Sequence, residues 1–272
     1  MRNLALLMLC VFLFSCRGDK KKEPAQQPAP VQGQPADTLA YTYDSVKVYS
    51  KSPVSKNQSV IDTAMAVIEF PVFKDSLLNK MLVDKVGFTS SNGEVKTSES
   101  YKQTATAFMK RFDTYEQQND DHHQTWFSDT RLTVLLQKPG YISLRLDNVD
   151  YVGGAHANPI SLFLNYDLNT HQPIALESML KPDGMTRLNA IAEQIFRKNE
   201  GLSPTASLSD AYFFENNTFK LNDNFTITNG GLQFMYNPYE IKPYAAGKTI
   251  LTIPFANIKE LIRPNSLLSR FL

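Results

Sequence analysis

The chain has 272 residues, with 28 Lys or Arg against 27 Asp or Glu, so its formal net charge at pH 7 is +1. This balance gives no global basic field and argues against a nucleic-acid partner. The roughly 230 residues after position 40 are enough for one large or two small folded domains.

The first 16 residues have the features of a targeting segment. Arg2 supplies a positive charge, and an apolar run of 11 residues follows it at positions 4–14. This run is shorter than the about 20 residues that a membrane-spanning helix needs. It leads into Leu13-Phe14-Ser15-Cys16, which resembles a bacterial lipobox. We therefore predict a lipoprotein signal peptide over residues 1–15 and lipidation of Cys16; an ordinary secretory signal is the alternative.

Both cysteines of the chain, Cys10 and Cys16, fall in or beside this segment. Because Cys10 leaves with the signal and Cys16 carries lipid, the mature protein is expected to have no disulfide and no cysteine nucleophile. Residues 16–40 are rich in Pro, Ala and Gln and have no apolar period, which predicts an extended tether. The expected location is the bacterial cell envelope outside the cytoplasm, with the membrane as a partner through the lipid on Cys16.

Six regular elements are predicted before the centre of the chain. Periodicity places strands over 43–49, 61–70, 125–137 and 141–149, and amphipathic helices over 74–86 and 98–117. Thr97 or Ser98 is the candidate N-cap of the second helix, and Pro139-Gly140 predicts a turn between the last two strands. Adjacent histidines rarely reach one ion, so His122-His123 indicates a solvated loop rather than a metal site.

The stretch Asp147–Pro159 predicts a strand, a glycine corner and a second strand. Gly153-Gly154 can adopt positive φ at little steric cost and permits close approach of another backbone. Pro159 suits the first residue of a strand because it has no N–H. Phe163 interrupts the polar face of the following strand, 160–168, so we expect this strand to be covered on both sides.

His156 lies in this corner, near Asp147 and Asp150 in sequence. One interpretation is a ligand-binding or proton-transfer histidine. The other, which we favour because no nucleophile is adjacent in sequence, is a histidine that ties the turn to a backbone carbonyl or carboxylate. Asp147 and Asp150 are an odd interval apart, so on a regular strand they face opposite sides. This weakens them as a glycosidase pair, for which Glu240 is a third candidate.

The remaining elements complete an α+β pattern. The spacing predicts helices over 185–199, 209–215 and 257–262, and strands over 225–228, 232–236 and 248–253. Gly201 suits the end of the first of these helices, and Asn229-Gly230-Gly231 predicts a hairpin. The expected fold class is α+β, with antiparallel sheets packed with a few helices in two subdomains.

Several motifs together resemble the extracytoplasmic domain of the anti-sigma-V factor RsiV, a domain that also accompanies the catalytic part of some peptidoglycan deacetylases. The residues that carry the resemblance are Tyr151–His156, Asn165–Leu168, Asn224-Phe225 and, most specifically, Pro238–Gly247. Residues 41–139 resemble the companion domain that often precedes it. The resemblance therefore implies an N-terminal α+β subdomain over 41–139 and an RsiV-like α+β domain over 140–272.

The resemblance also suggests partners. RsiV is a receptor that binds lysozyme and thereby releases a sigma factor, so lysozyme and peptidoglycan are the partners implied for this chain. The sequence departs from that receptor because it predicts no membrane span and no cytoplasmic sigma-binding segment. The signalling role therefore does not carry over. In addition, His171 stands where the family turn usually has glycine.

The segment Pro238–Gly247 adds tyrosines that, together with Tyr236, suit an aromatic platform for a sugar ring or a partner loop. The interpretation we favour is that these tyrosines pack the edge of the module and that their hydroxyls satisfy buried backbone groups. The candidate binding residues are Tyr151, Gly153, Gly154, His156, Tyr239, Glu240 and Tyr244. The sequence contains no catalytic motif, and we predict no metal site and no cofactor. The expected function is a non-catalytic cell-envelope module that binds a protein or cell-wall glycan. The alternatives are a lysozyme-binding inhibitor or sensor component, and an envelope glycan hydrolase.

The targeting interpretation makes Cys16 the attachment point of the lipid. The variant Cys16→Ala is expected to lose palmitate labelling and to be released or mislocalised, because the acyl chains that anchor the protein are attached to this cysteine. Metabolic labelling and membrane fractionation measure both properties. Labelling that persists in Cys16→Ala would show that the anchor lies elsewhere.

Overall fold

The computed structural model describes residues 38–51, 63–89, 95–96, 99–119 and 124–272, and all structural statements concern these residues. The predicted signal peptide, the tether before residue 38 and the His122-His123 loop lie outside them. No helix within the described ranges has the length and apolar character needed to cross a membrane.

The structure is a mixture of strands and helices, as predicted. The strands are β1 Tyr41–Tyr49, β2 Met65–Phe73, β3 Phe88–Thr89, β4 Val95–Lys96, β5 Phe127–Lys138, β6 Tyr141–Tyr151, β7 Asn158–Asp167, β8 Gln172–Pro173, β9 Phe225–Ile227, β10 Gly231–Tyr236 and β11 Thr249–Pro254. The α-helices are α1 Ser76–Lys85, α2 Tyr101–Gln118, α3 Gly184–Asn199 and α4 Phe255–Ile258.

Two main sheets organise these elements. The first has six strands in the order β1-β2-β5-β6-β7-β8, and the second has three in the order β11-β10-β9. All of their neighbouring strands are antiparallel except β2 and β5, which pair in parallel. A parallel pair needs a crossover connection, and the segment containing α1 and α2 supplies it. The α+β class is confirmed.

Each main sheet has its own hydrophobic core. One core joins the six-stranded sheet to α1 and α2, with Leu78, Phe112, Trp126 and Leu144 among its buried residues. The other joins the three-stranded sheet to α3 and the C-terminal segment, with Phe196 among its buried residues. The predicted division at 139/140 falls in the turn between β5 and β6, so the six-stranded sheet extends across it.

Local chemistry explains three helix boundaries. Helix α1 begins after Asp75, whose carboxylate accepts from two backbone N–H groups of its first turn. The predicted N-cap of α2 at Thr97 or Ser98 is wrong, because the helix begins after Ser100 and the Ser100 hydroxyl accepts from Gln103 N–H. Past the end of α3, Gly201 has a φ of 68°, as a C-terminal glycine requires.

The helix predicted over 209–215 is not formed. The structure has turns there, followed by a 3₁₀ turn over Glu215–Asn217. Ser207 and Ser209 bond locally to each other, and Ser207 Oγ also accepts from Ser209 N–H. Phe213 N–H donates to the Ile241 carbonyl instead of to a helical partner. These side-chain and long-range bonds offer the backbone an alternative to a helix.

His171 lies in the turn between β7 and β8, at the position where the sequence resemblance leads us to expect glycine. Its φ is 54°, in the left-handed region that glycine adopts most easily. Its Nδ1 lies 3.4 Å from an oxygen of Asp75, the residue that caps α1. The turn therefore keeps the backbone conformation of a glycine while it adds a side-chain contact to the first helix.

Two asparagine side chains form hydrogen bonds with backbone groups on the outer edge of β7, which we call the sealed edge. The Asn237 side chain accepts from Ser161 N–H at 2.7 Å and donates to the Ser161 carbonyl at 3.1 Å. The Asn224 side chain accepts from Phe163 N–H at 2.7 Å and donates to the Ser161 carbonyl at 2.9 Å. Each amide thus takes the place of a peptide group in a neighbouring strand.

A buried polar layer continues this contact between the two sheets. Tyr141 donates to the Asn165 side-chain oxygen at 2.7 Å, and the Asn165 amide donates to the Phe225 carbonyl at 2.7 Å. Ser143 and Thr226 share a hydrogen bond of 3.1 Å. Burial raises the pKa of Tyr141 to about 12, so it remains a neutral donor at physiological pH. Satisfied buried polar groups of this kind fix the position of one sheet on the other.

The edge contacts predict a large effect for a single amide. Asn224→Ala removes the acceptor for Phe163 N–H and the donor for the Ser161 carbonyl. It is expected to lower the free energy of unfolding by about 1–3 kcal/mol. Urea denaturation of the variant and of Asn199→Ala, an exposed asparagine at the end of α3, measures the difference. Equal stability of the two variants would contradict the sealing role.

Candidate binding surface

The glycine corner connects β6 to β7 and has the conformation that the sequence predicts. Gly153 and Gly154 have φ values of 96° and 101°. The Tyr151 hydroxyl donates to the Gly154 carbonyl at 2.9 Å, and Gly154 N–H donates to the Gln124 side chain at 3.1 Å. A Cβ added at Gly154 meets no atom within 4 Å, so the backbone conformation, and not close packing, requires glycine here.

Three candidate residues from distant parts of the sequence meet beside this corner. The rings of His156 and Tyr244 stack with centroids 3.7 Å apart and an interplanar angle of 14°. The Tyr239 ring lies 5.6 Å from Tyr244 and 6.1 Å from His156. We call His156, Tyr239 and Tyr244 the aromatic platform.

Hydrogen bonds orient the platform. The Tyr244 hydroxyl donates to the Ala157 carbonyl at 2.9 Å, and His156 Nδ1 lies 3.1 Å from the same oxygen. Because a carbonyl only accepts, Nδ1 is the protonated nitrogen in this contact and Nε2 is the acceptor of the neutral ring. Tyr239 lies with its hydroxyl 3.3 Å from Nε2 and donates to it. The backbone contact predicted for His156 is therefore present, and the ring also belongs to an exposed cluster.

Tyr239 has an unusual backbone for a large side chain. Its φ is 68°, in the left-handed region, and its side chain is 57% exposed. A non-glycine residue in a sparsely populated region typically costs about 1–3 kcal/mol, and such positions concentrate at functional sites. Hydrogen bonds from Tyr239 N–H to Lys242 and from Glu240 N–H to Asn237 hold the turn.

The other candidates are placed differently. Tyr236 is buried and donates to the Lys220 carbonyl at 2.8 Å, so it follows the favoured interpretation of packing at the module's edge and does not join the platform. Glu240 accepts from the Asn222 side chain at 2.6 Å and from Asn237 N–H at 2.8 Å. It therefore supports Asn237, one of the two amides that seal β7.

Two of the three carboxylates considered for a hydrolase, Asp147 and Asp150, lie on opposite faces of β6, as their odd spacing predicts. Asp147 faces the second sheet, pairs with Arg145 at 2.6 Å and Lys248 at 3.7 Å, and accepts a short hydrogen bond from Ser161. Asp150 faces the first core, where burial raises its pKa. In the described part of the chain, no three His, Cys, Asp or Glu residues are grouped to hold a metal ion.

A cavity of about 320 Å³, which the sequence patterns do not predict, lies between the six-stranded sheet and α2. The expected double coverage of β7 fails at this end, because Ile160 and Leu162 are exposed and line the cavity instead of packing in the core. One feature of the sequence could have indicated this cavity. The polar residues Thr130, Asn148 and Asp150 occupy core-facing positions of β5 and β6, where apolar residues are usual. An alternation of strand residues that becomes polar on its inner face marks such a site.

Comparisons with known proteins give two family matches, each to part of the chain. Residues 177–256 match the family described as a protein of unknown function, DUF3298. Residues 56–159 match the family described as Deacetylase PdaC. The chain has no match among curated proteins.

Two solved structures share this architecture. A crystal structure of a DUF3298 family member from Bacteroides fragilis has a TM-score of 0.65 and 20% identity, and the match covers 86% of this chain and 98% of that one. A DUF3298 family protein from Pseudomonas aeruginosa has a TM-score of 0.62 and 19% identity, covering 84% and 96%. At these identities the similarity shows a common fold, and the function must be argued from the residues of this chain.

Substitution of Tyr239 by glycine separates two effects on stability: the cost of the left-handed backbone and any contribution of the ring to folding. Tyr239→Gly removes the left-handed penalty, while glycine adds freedom to the unfolded chain, so the free energy of unfolding is expected to stay equal or rise by up to about 1 kcal/mol. Thermal and urea unfolding measure this. A loss above about 1 kcal/mol would show that the ring is needed for folding.

Proposed function

We propose that this chain is a non-catalytic binding module of the bacterial cell envelope, and that the aromatic platform is its working surface for a cell-wall glycan. The observation that carries the proposal is Tyr239: a large, exposed ring held beside His156 and Tyr244 by a left-handed backbone. A fold that needed this ring only for packing would bury it. Here the left-handed backbone conformation, which has an energetic cost, holds the ring in solvent instead.

The chemistry of the platform suits a sugar. Aromatic faces pack against the apolar C–H faces of sugar rings, while polar atoms at the edges of the aromatic rings form hydrogen bonds with the sugar hydroxyl groups. The platform offers both, because the hydroxyl oxygens of Tyr239 and Tyr244 lie at ring edges and can still accept a hydrogen bond after they donate to His156 Nε2 and the Ala157 carbonyl. Its residues lie in loops carried by two sheets that are fixed to each other through the edge of β7, which is the usual arrangement of a binding loop on a rigid scaffold.

Two further observations favour a glycan of the envelope. The lipobox-like sequence predicts a protein held outside the cytoplasm, where peptidoglycan is present. The match of residues 56–159 to a family named for a deacetylase, together with the resemblance to the accessory domain of peptidoglycan deacetylases, points to the same compartment. A lysozyme-binding role is the competing protein-binding function. A glycan hydrolase is disfavoured by the placement of Asp147 and Asp150 on opposite faces of one strand.

Binding to purified peptidoglycan tests the proposal. The full chain is expected to co-sediment with peptidoglycan without releasing fragments, and Tyr239→Gly to weaken the binding by at least about 30-fold, the effect of losing a contact worth about 2 kcal/mol. The matched control is Tyr49→Ala, which removes a tyrosine of similar exposure, 55% against 57%, from β1 at the far edge of the six-stranded sheet. This control is expected to bind as the unaltered chain does.

Three results would contradict the proposal. Unchanged binding by Tyr239→Gly would remove the platform from the interface. Binding to lysozyme but not to peptidoglycan would favour the protein-binding alternative. Release of soluble glycan fragments by the unaltered chain would make the protein an enzyme.

A further inference from the structure

The cavity under α2 borders a part of the six-stranded sheet whose inner face is polar. Strand pairing places Thr130 opposite Asn148 in one row of side chains, and Asp150 between Ser128 and Asn158 in the next row on the same face. All five residues line the cavity, and we call them the polar strip. The inner face of the sheet thus changes from an apolar core to a surface of hydroxyl, amide and carboxylate groups.

Apolar side chains border the polar strip on three sides. On β2, Ile68 pairs in register with Thr130 and lines the same cavity. On β7, Ile160 and Leu162 line the cavity although both are exposed. Phe108 contributes the apolar wall of α2 opposite the sheet. The cavity therefore combines a polar floor with apolar walls.

The polar strip has hydrogen-bonding groups that no described residue uses. The Asn148 amide nitrogen donates to Thr130 at 2.9 Å and to Ser128 at 3.3 Å, whereas its side-chain oxygen has no partner in the described ranges. The two hydroxyls accept in these contacts, and neither donates to a described residue. The Asn158 amide approaches the Asp150 carboxylate only to 3.5 Å. The floor of the cavity thus offers both donors and acceptors to a ligand.

The charges around the cavity favour a neutral ligand. Asp150 supplies the one carboxylate among the described residues that line the cavity, so an anion is repelled. Two cations, Lys85 and Arg111, also line the cavity and oppose a cationic ligand. Arg111 is already engaged, because its guanidinium carbon lies 6.0 Å from the ring centroid of Trp126. A ligand must therefore be recognised through the hydroxyl, amide and carboxylate groups of the polar strip.

We propose that this cavity binds a single neutral sugar ring. A sugar hydroxyl donates and accepts hydrogen bonds, so it can pair with the free hydroxyl donors and the free oxygen acceptors of the polar strip alike. The apolar walls would contact the C–H faces of the ring. The volume of about 320 Å³ is near the lower end of small-molecule sites, about 300–1,000 Å³, which suits one ring. This site shares no residue with the aromatic platform and does not depend on the function proposed for it.

Calorimetric titration of the full chain with monosaccharides tests the proposal. The probes are glucose, galactose, mannose and N-acetylglucosamine, and at least one is expected to bind saturably with a dissociation constant below about 10 mM. The uronic acid of the sugar that binds carries a carboxylate in place of the hydroxymethyl group. It is expected to bind at least about tenfold more weakly, because Asp150 repels the added charge. No saturable binding of any of the four sugars, or equal binding of the acid, would overturn the proposal.

Two variants assign the sugar to the cavity. Asn148→Ala removes the free acceptor at the centre of the polar strip and is expected to weaken sugar binding at least about tenfold. Asp150→Asn keeps the shape of the side chain but removes its charge, so it is expected to narrow the difference in affinity between the sugar and its uronic acid. A purely structural role of Asp150 would leave that difference unchanged. Asp129→Asn is the matched control, because Asp129 lies on the exposed face of β5, and it is expected to bind as the unaltered chain does.

Unfolding curves establish that the variants are folded. Sugar affinity that is unchanged in folded Asn148→Ala, or an unchanged preference for the neutral sugar in folded Asp150→Asn, would contradict the site. Monosaccharide binding that is lost in Tyr239→Gly but kept in Asn148→Ala would assign the sugar to the aromatic platform and would also overturn the proposal.

Discussion

The second sheet and its flanking segments contact the first sheet along the outer edge of β7, and the rest of the structure depends on this contact. An unpaired strand edge exposes N–H and C=O groups that must find partners when they are buried. In this chain the side chains of Asn224 and Asn237 provide those partners, while Ile174 N–H serves the Asn165 carbonyl and Tyr244 serves the Ala157 carbonyl. Pro159 lies in the same outward register and has no N–H to satisfy.

The sealed edge connects folding to the proposed working surface. Asn237 begins the turn that contains Tyr239, and Glu240 of the same turn accepts from Asn237 N–H. Tyr244 contributes its hydroxyl to the edge and its ring to the aromatic platform. The two interpretations of this segment, architecture and recognition, are therefore divided between residues: Tyr244 and Glu240 hold the backbone, and Tyr239 is turned out to solvent.

Local chemistry made part of this structure predictable from the sequence. The glycine corner, the hairpin at Gly230 and helix α3 each depend on residues within a few positions of one another. The edge contacts depend on pairs such as Ser161 and Asn237, 76 positions apart, and no periodicity carries that information. The parallel pairing of β2 with β5 and the cavity under α2 also arise only from tertiary packing. The mistaken helix at 209–215 has both origins, because Ser207 and Ser209 bond locally whereas Phe213 N–H donates to the distant Ile241 carbonyl.

Native-state amide hydrogen exchange tests the sealed edge most directly. The N–H groups of Ser161 and Phe163 bond to asparagine side chains and not to a strand. If these contacts hold the two sheets together, both amides exchange only through global unfolding, at the rate of central β6 amides such as Leu144. Exchange of Ser161 and Phe163 through local opening, orders of magnitude faster than Leu144, would contradict the account.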